Sequence, residues 1–491
     1  MPPMKVLIVM QHINFFRNLE TVVRELDARG HEVVVLHGTR LDSEKSRAKL
    51  QRKRETMVFM GRGIEVAQAE VAGVTVGYRP EPDERWHQQL RLGRQVINRA
   101  IYLRKGHPSP HRVVDGLERR LPRMLQRLFT LRATRALLRH RSTLAAWRRL
   151  EVVGRPSRRV RALLEEIRPD VVLVSPTVWP KEPVEADYLR AARSLRIPTI
   201  GYLNSWDNLT SKGTIHVLPD VYVVWNDALA QEAVEIHDVP RDLIRITGAA
   251  HLDRFFELEP TTTREEICRR MGAAPELPYV VYLCSSRTLI STELAVAESL
   301  ADAMAKRFGS GAPTLMVRPH PTNPGPWQDY ERPGIVVYPK QGDQADSPES
   351  WQEYYDQLSG AACVFGLNTT AFLESVVAHR PCLTIVADEF YDTQGRTGHF
   401  RHLLAANFLE IARDADEVAE RVASILAGAD EKASGRRFFT EWFLRPCGIE
   451  RPATLEVVDT IERMMPSRRS AASATNDSAP ELAPLVRKDV R

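Results

Sequence analysis

The sequence predicts an α/β protein of two doubly wound domains, each built on a parallel sheet, facing one another across a cleft. Three observations carry this expectation. Short β-branched runs alternate with helical periodicities in two separate series, the second starting near Thr262. Most of these runs end in loops of small or polar residues rather than in tight hairpins. At 491 residues the chain exceeds what one ordinary core holds, so two or three domains are expected.

The first series opens on VLIVM (6–10), a buried strand that runs into Gln11-His12-Ile13-Asn14. Leu19, Val22, Val23 and Leu26 then recur at helical spacing, and Gly30 suits the helix end. HEVVVLHG supplies a second strand, so this is a βαβ unit and the sheet is parallel. A third short strand is expected at 74–78. Alternation resumes with a helix at 160–167, a strand at 170–174, a helix at 188–195 and strands at 198–203 and 221–225. RITGAAHLD closes this half. The second series reads as helices at 264–271, 292–308, 351–358 and 371–378, with strands at 279–284, 314–317, 335–338, 362–365 and 382–386. The expected division is therefore a first domain over 1–236, a second over 237–435 and a terminal helix over 436–465. A disordered tail rich in Ser, Ala and Pro is expected over 466–491.

Charge divides the chain unevenly. Residues 85–161 hold 20 Arg and one Lys against three acids, a net +18, while the whole chain carries +5. The segment is read as a basic helical insertion in the first domain. In RRLPRMLQRLFTL, Leu121, Met124, Leu125, Leu128 and Leu131 are expected on one helical face, with Arg119, Arg120, Arg123 and Arg127 opposite. Such helices suit an anionic membrane surface. A nucleic-acid arm is the competing reading, disfavoured because the segment is rich in Leu and nearly without aromatics. The five cysteines have no paired spacing, which disfavours a structural zinc or a disulfide framework. The N-terminal apolar run is too short for a signal segment and no run suffices to span a bilayer. A cytoplasmic protein is expected, with the insertion able to touch the inner face of the plasma membrane.

Ligands of open parallel sheets bind outside the carboxyl ends of the strands. In the first half those ends carry Gln11 to Asn14, Ser175-Pro176-Thr177 and the cluster Asn204, Ser205, Trp206, Asp207, Asn208, Lys212. In the second they carry Ser285-Ser286-Arg287, Arg318-Pro319-His320-Pro321 and Asn368-Thr369-Thr370, with Glu374 one helical turn further. Small residues admit close approach and Arg offers a fork for phosphate oxygens, which is the composition of a nucleotide diphosphate pocket. The bland alternative is that these residues merely cap helices and close turns.

These motifs resemble those of GT-B glycosyltransferases, in which two Rossmann-like domains face each other. More narrowly, SWDNLTSKG, ITGAAHLDRFF, RPHP and GLNTTAFLESVVAHRPCLTI are similar to bacterial cell-surface polysaccharide proteins related to the CDP-glycerol glycerophosphotransferases. The resemblance implies a donor site at His320-Pro321 and at Asn368, Thr369, Thr370 and Glu374. It also implies an acceptor base at the position of His12. The expected function is sugar transfer from a nucleotide-activated donor to a cell-surface glycan or lipid-linked acceptor. Ser285, Ser286, Arg287 and Arg318 join the donor site, and Asn204, Trp206, Asn208 and Lys212 face the acceptor. His12 or Asp207 is the expected base, with His320 assisting departure of the diphosphate. No metal and no cofactor beyond the nucleotide-sugar substrate are expected. A glycerophosphotransferase and a nucleotide-sugar 2-epimerase remain as alternatives.

Overall fold

The protein is described from a computed structural model covering residues 2–38, 74–108, 110–180, 183–287, 289–290, 293–342, 345 and 347–464. The tail expected over 466–491 lies outside the described residues, as does the first expected residue of the 292–308 helix.

Among the described residues, two parallel sheets organise the chain. The first has seven strands: β1 (Lys5–Met10), β2 (Glu32–His37), β3 (Val74–Tyr78), β4 (Val171–Ser175), β5 (Thr199–Tyr202), β6 (Val221–Val224) and β7 (Ile244–Ile246). Their spatial order is β3-β2-β1-β4-β5-β6-β7. The second has six: β8 (Tyr279–Leu283), β9 (Thr314–Arg318), β10 (Ile335–Val337), β11 (Cys363–Phe365), β12 (Cys382–Ile385) and β13 (Leu409–Ala412), in the order β10-β9-β8-β11-β12-β13. The first sheet therefore continues past residue 236, because β7 pairs with β6 through Tyr222–Ile244 and Val224–Ile246. A three-residue strand with one exposed position carries too little pattern to be read in sequence.

Period-two side-chain alternation explains why the strands are apolar throughout. Val6, Ile8 and Met10 of β1 enter one core while Leu7 and Val9 enter the core on the opposite face. In β8, Tyr279, Val281 and Leu283 face one way and Val280 and Tyr282 the other. Helix α1 (Glu20–Ala28) feeds Val22, Val23 and Leu26 into the core under β1.

The insertion is helical, in five pieces: α2 (Arg85–Ala100), α3 (His111–Glu118), α4 (Arg123–Leu128), α5 (Arg132–Leu138) and α6 (Arg141–Val153). The single apolar face expected over 121–131 does not form. Pro122 precedes α4, the chain breaks again before α5, and Met124, Leu128 and Leu131 are exposed while Leu121 is buried. Proline has no N–H to give and blocks helix continuation, so the break at Pro122 resets the helical phase, and the turn over 129–131 resets it again. The insertion is fastened by a buried arginine. Arg94 of α2 donates to both carboxylate oxygens of Glu151 in α6, at 2.7 and 3.0 Å, and to both of Asp187, at 2.8 and 2.9 Å.

Helix α7 (Phe372–Val377) lies in chain order between β11 and β12, and α8 (Ala453–Glu462) follows the second sheet. The terminal helix does not rest on the second domain. Val457, Val458 and Ile461 of α8 pack into the core that holds α1. Asp253 anchors this return. Its Oδ1 accepts from Arg445 Nη2 at 2.8 Å and from Ala453 N at 3.1 Å, and its Oδ2 accepts from Thr454 N at 2.7 Å. Asp253→Ala leaves the buried Arg445 unpaired and is expected to cost about 3–5 kcal/mol, measured as a lower urea midpoint.

Candidate active site

Both sheets reverse direction of strand order at one point, between β1 and β4 and between β8 and β11. A crevice opens there, since the neighbouring loops leave in opposite directions. The two crevices face each other and merge into one cleft of about 680 Å³ lined by residues of both domains.

Twelve of the fifteen candidate residues line this cleft: Asn204, Trp206, Asp207, Asn208 and Lys212 from the first domain, and Ser286, Arg318, His320, Asn368, Thr369, Thr370 and Glu374 from the second. Three do not. Ser285 is buried beneath it, its backbone N–H held by Glu293 Oε1 at 2.7 Å and its Oγ accepting from Asn368 N at 3.3 Å. Arg287 is exposed on the outside of its loop. His12 is absent from the lining, and burial lowers its basicity. That argues against the role of base at His12.

The Asn204–Lys212 loop is both an internally bonded turn and a cleft wall. Asn204 O accepts from Asn18 Nδ2 at 3.2 Å. Asn208 Oδ1 accepts from Ser205 N at 3.1 Å, while Asn208 Nδ2 donates to Asp207 Oδ1 at 3.2 Å. The Trp206 ring is 1% exposed. His399 meets it edge-on at 5.0 Å, and Trp206 Nε1–H donates to Thr370 Oγ1 at 3.2 Å across the domain gap. In this arrangement the indole is a bolt between the domains, and it offers no open face to a sugar. Asn368 is likewise engaged, donating through Nδ2 to Thr393 O.

Charge in the cleft is sorted by neighbours. Burial pushes the Asp207 carboxyl up, but Lys212 at 3.3 Å, His399 and hydrogen bonds from Ser205 and Ser211 together hold it well below the usual carboxylate range. Glu374 has no such partner. Burial pushes its carboxyl up to about 7 against the pull of Arg17 and Arg318, and its Oε2 is buried without a hydrogen bond. Burial, with Arg17 adding repulsion, brings His320 down to about 4, so its imidazole is neutral near pH 7. Thr322 N–H donates to His320 Nδ1 at 3.1 Å, so the proton sits on Nε2 as a donor. Arg318 stacks on Tyr354 at 4.4 Å and donates to Gln357 Oε1 at 2.7 Å, which fixes its fork.

The lining also includes residues that were not read from the sequence, among them Arg17, Arg112, His251 and His399. His251 and His399 each keep a buried Nδ1 without a hydrogen-bond partner. For His399 the reason is visible, because Nε2 donates to Asn368 Oδ1 at 3.2 Å. Burial lowers both imidazoles, to about 3 and about 4. His251 sits in the quoted ITGAAHLD, so a signal existed there. Arg112 belongs to the insertion, and its Nη1 donates to Leu289 O in the second domain at 2.8 Å. The cleft thus combines donors (Arg17, Arg112, Lys212, Arg318 and His320 Nε2–H) with two unfilled acceptors, His399 Nδ1 and Glu374 Oε2, and an unpartnered ring nitrogen, His251 Nδ1. Among the described residues, no group of three or more His, Cys, Asp or Glu is arranged to hold a metal ion.

No protein-family model matches the chain, and no curated protein matches it in sequence. Solved structures do match in shape. A UDP-GlcNAc 2-epimerase from Neisseria meningitidis bound to UDP-GlcNAc is 12% identical over 94% of this chain and 100% of its own, with a TM-score of 0.50. A glycosyltransferase from Rickettsia africae is 9% identical over 95% and 100%, with a TM-score of 0.50. The S. aureus MnaA structure with UDP is 10% identical over 94% and 96%, also at 0.50. At these identities the likeness establishes architecture, and the architecture is GT-B: two Rossmann-like domains closing on a shared cleft.

Thr370→Val strands the buried Trp206 N–H and is expected to cost about 1–3 kcal/mol locally. Hydrogen exchange across 206–211 should accelerate, and Thr370→Ser should restore protection.

Proposed function

We propose that the protein is a glycosyltransferase that moves a sugar from a nucleoside diphosphate to the hydroxyl of a cell-surface glycan or lipid-linked acceptor. The observation that carries this reading is the chemical sorting inside one cleft. Cationic and N–H donors match a diphosphate, and unfilled acceptors match the hydroxyls of ribose and sugar.

In the proposed reaction the acceptor oxygen bonds to the anomeric carbon as the bond from that carbon to the diphosphate oxygen breaks. The electron pair leaves with the diphosphate, where Arg318, Arg17 and His320 Nε2–H oppose the growing negative charge. The acceptor proton passes to a carboxylate. Of the two cleft carboxyls displaced from their ordinary range, Asp207 is held too weak a base, whereas Glu374 binds a proton near neutral pH. The base role therefore falls to Glu374 rather than to Asp207 or His12. Asp207, paired with Lys212, serves as a fixed acceptor for hydroxyl groups. Ser286, Thr369 and Thr370 add hydroxyls at the donor end, and Asn204, Asn208 and Asn368 hold the loops in place. This reading takes its positive charge from the chain itself and requires no metal cofactor.

Arg318→Ala and His320→Ala should each lower kcat about 100-fold or more while leaving thermal unfolding near wild type. Nucleoside diphosphates should raise the melting temperature, and UDP, CDP and GDP should separate in rank. Conversion of a nucleotide sugar in the absence of acceptor would replace transfer with epimerisation. The pH profile of kcat/KM should rise through about 7 as Glu374 ionises, since the base must be deprotonated to act. Glu374→Gln should abolish that limb, and a limb that survives the substitution refutes the assignment.

A further inference from the structure

The insertion carries a surface that the cleft does not use. Helices α4 and α5 bury none of their own residues. Leu121 and Phe129 fasten the connecting chain to Ala100, leaving Met124, Leu128, Leu131 and Leu137 exposed at 80%, 43%, 53% and 67%. Large apolar side chains at such exposure within fourteen residues are costly in water and mark a surface that meets something apolar. The same stretch, 123–141, has six arginines and no acid. Three of them converge: Arg132, Arg135 and Arg139 line one pocket of about 360 Å³ with Leu103 and Ala136. Their spacing puts them on one face of α5 and its C-terminal cap, where three like charges repel unless an anion sits among them.

We propose that α4 and α5 form a docking face for an anionic phospholipid bilayer. The Arg132–Arg135–Arg139 pocket takes a lipid phosphate, and the exposed Met and Leu side chains enter the boundary between headgroups and acyl chains. Exposed aliphatic chains beside guanidinium groups are the pattern of an interfacial membrane anchor. A nucleic acid would meet the arginines but not the leucines, and Phe129, which alone among residues 123–141 is aromatic, is buried. The face also lies close to the chemistry. Pro110, Arg112 and Val113 at the start of α3 line the cleft, and α3, eight residues long, spans about 12 Å before the chain enters α4. The docking face stands without the transferase reading. Only its consequence, that the acceptor is carried in that bilayer, rests on it.

The test is vesicle flotation with the full chain, using phosphatidylglycerol–phosphatidylcholine vesicles and pure phosphatidylcholine vesicles. Wild type should float with the anionic vesicles and lose them as salt rises. The combined substitution R132Q, R135Q and R139Q should weaken partition about 100-fold, as three interfacial arginines imply. M124S with L137S should weaken it as well, at unchanged salt dependence. Equal binding to both vesicle types, or unchanged partition of the arginine variant, overturns the proposal. So does tighter binding of duplex DNA than of anionic vesicles at equal salt. Displacement by inorganic phosphate combined with an unchanged M124S–L137S variant would make the pocket a free-phosphate site and overturn the bilayer. A melting-temperature shift with UDP, CDP or GDP, run on the same variants, reports the cleft separately, so failure of one reading is distinguishable from failure of the other.

Discussion

A parallel sheet places every strand's carboxyl end on one rim, and this constraint governs the molecule. After each strand the chain must return to the amino end of the sheet before the next begins, so the loops that follow strands collect on one side. Two such rims turned toward each other bring together residues more than three hundred positions apart, such as Arg17 and Glu374. Burial is then produced by the domains closing on one another. The Trp206–Thr370 bond and the contacts of α3 with Leu289 and Asp392 hold that closure.

Closure does chemical work because the lost water is replaced unevenly. The same exclusion acts on Asp207 and Glu374, yet they move in opposite directions. Asp207 has Lys212 and Ser211 to replace lost hydration, while Glu374 has arginines only at a distance and an oxygen with nothing to bond. The histidines follow a parallel logic. His320 and His399 are kept neutral by burial, and each carries its proton on Nε2: in His320 because Nδ1 accepts from Thr322 N–H, in His399 because Nε2 donates to Asn368 Oδ1. One ring therefore presents a donor and the other an unfilled acceptor, although both are the same residue type. Burial together with the partners each group retains gives each cleft group its role.

Much of the fold was legible because alternating periodicities survive in local sequence. β1, β2, β8 and β12 are apolar runs with polar ends, and the βαβ order follows from them. β7 and β13 were missed because a three- or four-residue strand with an exposed position has no readable period. The strand-end rule located Arg318, His320 and the Asn368–Thr370 loop at the cleft, since parallel topology dictates that rim. It also swept in Ser285 and Arg287, because the rule fixes where a loop lies and is silent on which way its side chains turn. Arg17 and His399 were invisible for a related reason. Each lies on a short helix whose residues look ordinary until the other domain arrives opposite: Arg17 faces the second domain and His399 meets Trp206 of the first.

The insertion shows why a charge count is ambiguous. Arg94 is buried against Glu151 and Asp187, and Arg148 donates to the backbone oxygens of Ile215 and Asp238. These arginines act as fasteners, chosen because one planar fork satisfies several acceptors at once. Arg132, Arg135 and Arg139 face solvent around a shared pocket with no acid in their segment. A net of +18 therefore mixes an internal scaffold with an external face. The scaffold is what makes the face possible: two helices that bury nothing of their own hang from Leu121 and Phe129 on α2, and the flanking α2 and α6 are pinned to the first domain through Arg94 and Arg148.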